Sequence, residues 1–288
     1  MDITKVIASE LGIRAGQVEA VIRLVDEGNT IPFIARYRKE AHGGLNDEVL
    51  RSLDERLTYL RNLEERKEAV IKSIEEQEKM TPELKKSIED AMTLVAVEDL
   101  YRPYKQKRRT RATIAKEKGL EGLADIIWLQ MTQKPLEEEA TAYLNEEAGV
   151  ASTADAIQGA MDILAERISD DAQYRTWIRN ITWKEGILVS SAKDAEAESV
   201  YEMYYDFQEA VSKMAGYRIL AVNRGEKEKL LSVKITTPEE KILTYLKKQV
   251  IVKENPNTKP LLEAVCEDSY QRLIADSIER DIRNEMTE

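Results

Sequence analysis

The sequence predicts a mainly α protein, and three observations carry that expectation. Apolar residues recur at intervals of three and four through most of the chain, the period of one helical face. Only 12 Gly and 7 Pro interrupt 288 residues, too few for a chain built of tight turns. Hydrophobic residues at 42% and charged residues at 34% describe a soluble, folded, helix-rich protein. Two Phe against 12 Tyr make the expected core aliphatic, with aromatic rings at its boundary, where a hydroxyl finds a partner. At this length one large body with a smaller module, or two unequal domains, is the default.

Residues 2–28 read as two short amphipathic helices, the second carrying Val18, Val21, Ile22 and Val25 and ending at Gly28. Pro32 suits the first turn of a short helix with Phe33, Ile34 and Tyr37, closed by Gly43 and Gly44. Asn46 is placed to cap a long helix with the stripe Leu50, Leu53, Leu57, Leu60 and Leu63, continued by Val70, Ile71 and Ile74. Thr81-Pro82-Glu83 sets a cap, a first-turn proline and an acid in order. The helix it starts, running through Ile88 and Val95, is expected to fold back on the long one as an antiparallel hairpin.

Residues 101–113 are polar, basic and interrupted by proline, which predicts an ordered loop or extended passage. Shorter helices are expected over 121–131, over 135–148 and from Thr153 through Ile178. Beyond Gly186 short β-branched or apolar runs appear at 187–189, 217–222 and 230–235. The last two predict a short β-hairpin near 217–236, about the turn Asn223-Arg224-Gly225-Glu226. Helices return over 238–252 and from Pro260 onward. The last still carries Leu273, Ile274, Ile278 and Ile282 when it reaches Glu288 without a cap, as in a chain cut short.

Composition removes several classes of function. The single Cys266 rules out an internal disulfide and a multi-cysteine zinc site, suits a reducing cytoplasm, and reads as a buried small hydrophobe. His42 is the only histidine, so a two-histidine metal site is excluded and a catalytic triad must pass through it. Between Ala41 and Gly43 it reads instead as a structural residue at the surface or at a helix end. Neither a Walker loop nor a dinucleotide fingerprint occurs. Adjacent carboxylates such as Glu98-Asp99 and Asp170-Asp171 read as solvated or paired with Arg. No enzymatic activity, cofactor or metal is therefore expected. No stretch approaches the roughly 20 apolar residues needed to cross a bilayer, so no membrane partner is expected either.

Forty-three Lys and Arg against 54 Asp and Glu give a net charge of -11, which opposes phosphate binding unless the basic residues cluster. They do cluster. Arg102, Lys105, Lys107, Arg108, Arg109, Arg111 and Lys116 fall in a stretch with no acid, interleaved with Tyr104. Such a segment binds phosphates while a ring stacks on a base. The competing reading has these cations neutralise acidic helices such as that carrying Glu64, Glu65, Glu75, Glu76 and Glu78. A second cluster, Arg36, Arg38 and Lys39, sits in the short helix after Pro32, where Arg36 and Arg38 are in reach of Asp26, Glu27 or Asp54. A third, residues 223–229, alternates in sign and says little by itself.

The segments PFIARYRKE, EDLYRPYKQKRRTRATIAKEKGLE and RILAVNRGEKEKLLSV, in this order and spacing, closely resemble the N-terminal region of the bacterial Tex family of transcription accessory proteins. ERLTYLRNLEERKEAVIKSIEEQ, YEMYYDFQEAV and SIERDIRNEMTE extend the resemblance over essentially the whole chain. The resemblance implies a cytoplasmic protein related to a eukaryotic elongation factor, with affinity for RNA or DNA, and an elongated multi-helix assembly. In that family an RNase H-like domain, helix-hairpin-helix modules and an oligonucleotide-binding barrel follow this region, and the chain stops before all of them. It further implies a helix-turn-helix-like helical body of residues 1–115 and 190–288, with 116–189 inserted as a small helical bundle. No catalytic residue is implied.

Two functions follow. In the first, the chain is a non-catalytic scaffold whose basic segment assists RNA or DNA binding completed mainly by absent domains. The candidate contacts are Lys105, Lys107, Arg108, Arg109, Arg111 and Tyr104, with Arg36, Arg38 and Lys39 as a second group. In the second, it is a protein-docking module for the transcription or translation machinery, without nucleic-acid affinity of its own. Exposure of the guanidinium groups separates the two.

Overall fold

Asp2 opens the first helix of the computed structural model, which describes residues 1–288: its carboxylate accepts the Lys5 N–H at the start of α1 (Ile3–Leu11). α2 (Ala15–Asp26) follows, and Thr30 caps α3 (Ile31–Tyr37) by accepting the Phe33 N–H. The one-turn helix α4 (Lys39–His42) leads to the long α5 (Asp47–Glu76), whose Asn46 cap accepts the Val49 N–H at 2.9 Å. The leucine stripe is fully buried, and Lys67 takes its place in the same row between Leu63 and Val70. That lysine survives burial because its Nζ donates to the Glu89 carbonyl at 2.6 Å and pairs with Glu64 at 3.3 Å. The accepting carbonyl lies in the last turn of α6 (Pro82–Asp90), where a cation offsets the helix dipole.

The single helix expected over 81–95 is two. Ala91 leaves the helical conformation, and the Thr93 hydroxyl accepts the Ala96 N–H to start α7 (Leu94–Tyr101). α6 runs antiparallel to α5, as the Glu75–Lys85 and Lys67–Glu89 contacts show. α7 then turns back alongside it, with Tyr59 bonded to Leu94, Arg66 to Glu98 and Ser73 to Tyr101. Arg56, Arg61 and Arg66 on α5 each clamp a carboxylate, on Glu10, Asp26 and Glu98, and the Arg61 guanidinium holds the Asp26 carboxyl below its usual range. These elements form one unit, Met1–Tyr101.

The second unit is Arg102–Glu288. Its axis is α11 (Thr153–Ser169), which packs against α8 (Arg111–Glu117), α9 (Glu121–Leu129), α10 (Leu136–Ala140) and α15 (Lys259–Asp268). Packing therefore draws its boundary at 101/102, and residues 116–189 share one apolar core with 190–288: Leu164 and Ile168 belong to the same cluster as Leu262, Ile274 and Ile282. Gln130 and Asn255 clasp two loops within this unit, Gln130 accepting from the Val252 and Lys253 N–H groups and Asn255 donating to Gln130 O and Thr132 O. Cys266 is fully buried, as expected, and burial pushes its thiol up to about 12.

Helix α12 (Ala172–Glu185) leads into a three-stranded antiparallel sheet of β1 (Ile187–Ala192), β2 (Asp206–Ala210) and β3 (Leu231–Thr236), in the order β2-β1-β3. The hairpin expected at 217–236 is absent: residues 216–227 form α13 (Gly216–Lys227), and the only strand there is β3. Gly225 explains the difference. It lies buried inside α13, where a Cβ would come within 2.5 Å of a Leu231 methyl, so its small size serves close packing and not a turn. Helices α14 (Glu239–Val250), α15 and α16 (Ala275–Thr287) complete the unit, with a π-helical stretch at Ser269–Ile274 between the last two. The buried Arg175 donates to Ser169, Ser277 and the Leu273 carbonyl, supplying donors where the helical ladder is interrupted.

Candidate nucleic-acid interface

The basic segment is a loop in the second unit that runs from Arg102 to Thr110, and it is built on α11. Thr110 caps α8 by accepting the Thr113 N–H at 3.1 Å, and its hydroxyl also donates to Glu166 on α11. Lys107 points the same way. Its ammonium lies 3.1 Å from Glu166 and pairs with Asp170, leaving only 22% of the side chain exposed. Burial raises the Asp170 carboxyl above its usual range, while the Lys107 bond and the nearby Arg102 charge pull it back. Arg102 itself is half-buried, with an Nε that has no hydrogen-bond partner. Pro103, Lys116, Glu166, Arg167 and Asp170 line a cleft of about 290 Å³ beneath the loop.

This arrangement divides the predicted cations. Lys107 is an internal tether, not an outward contact, because two carboxylates consume its charge. Lys105, Arg108, Arg109 and Arg111 are exposed, and of these only Arg109 meets a carboxylate, Glu117 at 3.6 Å with 72% of the arginine side chain in water. Tyr104 is half-buried. The acids that hold the loop are not those of the 64–78 region but Glu166 and Asp170. Asp170 is not a solvated partner of Asp171, whose own carboxylate instead caps α12 by accepting the Tyr174 N–H.

The second group lies in the first unit. Arg38 is tied to Glu40 at 2.9 Å, while Arg36 and Lys39 are exposed and make no ion pair. The pairing of Arg36 and Arg38 with Asp26, Glu27 or Asp54 does not form: Arg38 takes Glu40, and Asp26 is taken by Arg61. Ile34 anchors the helix from below. His42, expected at a surface or helix end, is at the end of α4 but fully buried: its Nδ1 accepts the Leu45 N–H, which leaves Nε2 to donate to the Ile34 carbonyl. The third cluster, 223–229, is helical as far as Lys227, and Glu226 and Asn223 are bound to Arg283 of α16.

Sequence reasoning missed Glu166 and Asp170, which lie about 60 positions from the loop they secure, and nothing local signals that pairing. Thr110 was readable: a threonine just before a helical run is a capping signal. No group of three His, Cys, Asp or Glu side chains is placed to hold a metal ion, and no helix is long and apolar enough to cross a membrane.

Comparison with known proteins matches two regions of the chain. Residues 1–75 match the Tex-like protein N-terminal domain, and residues 130–288 match the Tex central region-like family. Among curated relatives, YdcI of Bacillus subtilis is 48% identical over 98% of this chain and 40% of its own length. The transcriptional accessory protein Tex of Neisseria gonorrhoeae is 46% identical over 81% of this chain and 31% of its own. The human S1 RNA-binding domain-containing protein 1 is 29% identical over 99% of this chain and 30% of its own. The chain thus spans well under half the length of each relative.

Proposed function

The chain belongs to the Tex family, and on that premise we propose that it is a non-catalytic scaffold of a cytoplasmic transcription accessory protein, one that assists RNA or DNA binding through its basic loop. The single observation that carries the reading is the loop's construction. Lys107 is spent on holding the backbone, and four neighbouring cations are turned outward with almost no internal neutralisation. A segment meant only to neutralise its own protein would invert that division. An exposed Lys or Arg gains little from an isolated surface pair but displaces counterions when it meets a phosphate. The names of two relatives, a transcriptional accessory protein and an S1 RNA-binding domain protein, support the same ligand class. Further domains of the whole protein would supply most of the affinity, and the transcription or translation machinery would be the setting.

The test is fluorescence anisotropy with labelled single-stranded RNA and with duplex DNA across a salt series. Wild type is compared with the variant Lys105→Glu, Arg108→Glu, Arg109→Glu, Arg111→Glu, which keeps Lys107 and so keeps the loop seated. Four phosphate contacts give log affinity falling by about 3 per log unit of salt for the single strand and somewhat more for the duplex. The variant is expected to lose that dependence together with the binding. Absence of binding by wild type near physiological salt would instead make this part of the protein a docking platform for other proteins, and equal binding by the variant would place its nucleic-acid affinity outside the loop.

A further inference from the structure

The first unit carries an open groove of about 1230 Å³ between α3 and the start of α5, lined by Phe33, Arg36, Tyr37, Lys39, Arg51 and Asp54 among others. Phe33 and Tyr37 stand one turn apart on the same face of α3, with ring centroids 5.2 Å apart. Both rings meet solvent, at 42% and 60% exposure, although Ile34 between them is fully buried. Two exposed aromatic rings side by side cost apolar hydration that an isolated surface residue does not. The Arg36 guanidinium sits 6.0 Å from the Tyr37 centroid.

Three cations without a carboxylate partner line the groove as well. In this unit Arg38, Arg56, Arg61 and Arg66 each meet a carboxylate, while Arg14 and Arg23 outside the groove do not. Arg36, Lys39 and Arg51 meet none, and Arg51 only bonds the Asp47 carbonyl at 3.4 Å. Asp47 and Asp54 also line the groove, so a ligand suited to it offers hydrogen-bond donors for the carboxylates as well as an anion for the cations. An acidic peptide fits poorly for that reason, and a basic one meets the three cations. A nucleotide offers both kinds of group: an anionic phosphodiester for Arg36, Lys39 and Arg51, and donor-bearing base edges that carboxylates accept from. Its base also supplies the flat face that the exposed rings lack.

We infer that this groove binds single-stranded nucleic acid, stacking bases on Phe33 and Tyr37 while Arg36, Lys39 and Arg51 hold the backbone. Bases in a duplex are already stacked, so the site selects single strands. It shares only the ligand class with the basic-loop reading and needs none of the loop's residues.

The experiment uses the 288-residue chain with a labelled 12-nucleotide oligo(U), an abasic ribose-phosphate oligomer of the same length, and duplex DNA. Phe33→Ala with Tyr37→Ala is expected to weaken oligo(U) at least about fivefold, the loss typical of a stacking contact, and to leave the abasic oligomer and duplex unchanged. Tyr37→Trp in the otherwise native chain retains the affinity. Oligo(U) carrying 5-iodouracil should cross-link to Phe33 or Tyr37 in the mapped peptide. If the double alanine variant binds oligo(U) as wild type does, or if cross-links map only elsewhere, the inference is overturned and the groove is left to a protein ligand. The loop variant with four Glu substitutions separates the two claims. Loss of binding there with no effect of the alanines refutes the groove alone; the reverse refutes the loop alone.

Discussion

The loop at 102–110 and the helix α3 are both short, basic and exposed, yet they are held in place by opposite means. The loop has no apolar residue of its own over 105–109 and is seated by charge: Lys107 and Thr110 reach down to Glu166 and Asp170. α3 is seated by Ile34, fully buried, and by His42, which bonds the Ile34 carbonyl from the next helix. The difference bears on what each can do. A charge-seated loop presents cations whose position depends on ionisation beneath them. A core-seated helix presents rings and cations whose position depends only on packing.

The largest expected effect breaks the apolar side of this comparison. Ile34→Ala removes a fully buried side chain, and large-to-small changes of this kind cost about 2–5 kcal/mol. Urea unfolding followed by hydrogen exchange with mass spectrometry is expected to show the loss in residues 1–101, with protection of the α11 amides retained. Equal loss of protection in α11 would show that the two regions are not independently seated.

Next in size is the charged side. Lys107→Met leaves Glu166 and Asp170 mostly buried without their cation, and is expected to cost about 2–3 kcal/mol, less than for a fully buried pair because 22% of the lysine side chain meets water. Exchange should quicken through the loop and the C-terminal turns of α11. Adding Asp170→Asn should recover part of the loss, since the cycle removes one of the two stranded carboxylates. Strictly additive losses would mean that Lys107 and Asp170 do not act as a pair. The same Lys107→Met change is expected to weaken oligonucleotide binding without touching any outward cation, because the loop that displays them loosens.

These two regions also mark where the sequence was legible. Repeated spacing and capping chemistry were enough for the long helix from Asn46, the Thr81-Pro82-Glu83 start, the fully buried Cys266 and the loop after Tyr101. Pairings over long separations were not. Lys107 reads as one more cation until α11 folds beneath it, and Asp170 reads as a surface acid for the same reason. Gly225 shows a different failure. Within Asn-Arg-Gly-Glu it has the local signature of a turn, but its neighbour in space is Leu231, and only the packed structure shows that the missing Cβ makes room. β2 was invisible because Asp-Phe-Gln-Glu-Ala has no β-branched residue and is a strand only through its pairing with β1. In α3, Phe33 and Tyr37 fall at helical spacing and so read as part of a docked face; the buried residue is the single Ile34 between them.

The smallest expected effect is one of pH, and it sharpens the comparison on the side of the loop, which is seated on a carboxylate. Burial raises the Asp170 carboxyl, so the folded protein binds this proton more tightly than the unfolded chain does. By linkage the contribution of Asp170 to stability is fully present below the ordinary carboxylate range and is lost as pH rises through the raised value. Global stability from this group therefore increases slightly on acidification, while the local tether weakens, since a neutral carboxyl no longer pairs with Lys107. Glu166 keeps its hold on Lys107 and Thr110, which limits the effect. Amide exchange in the loop, corrected for intrinsic rates, is expected to rise as pH falls from neutrality into the region just above the ordinary aspartate value. Asp170→Asn should abolish the pH response of the loop and leave exchange slightly elevated at every pH, whereas a response that persists in this variant would show that Asp170 is not its source.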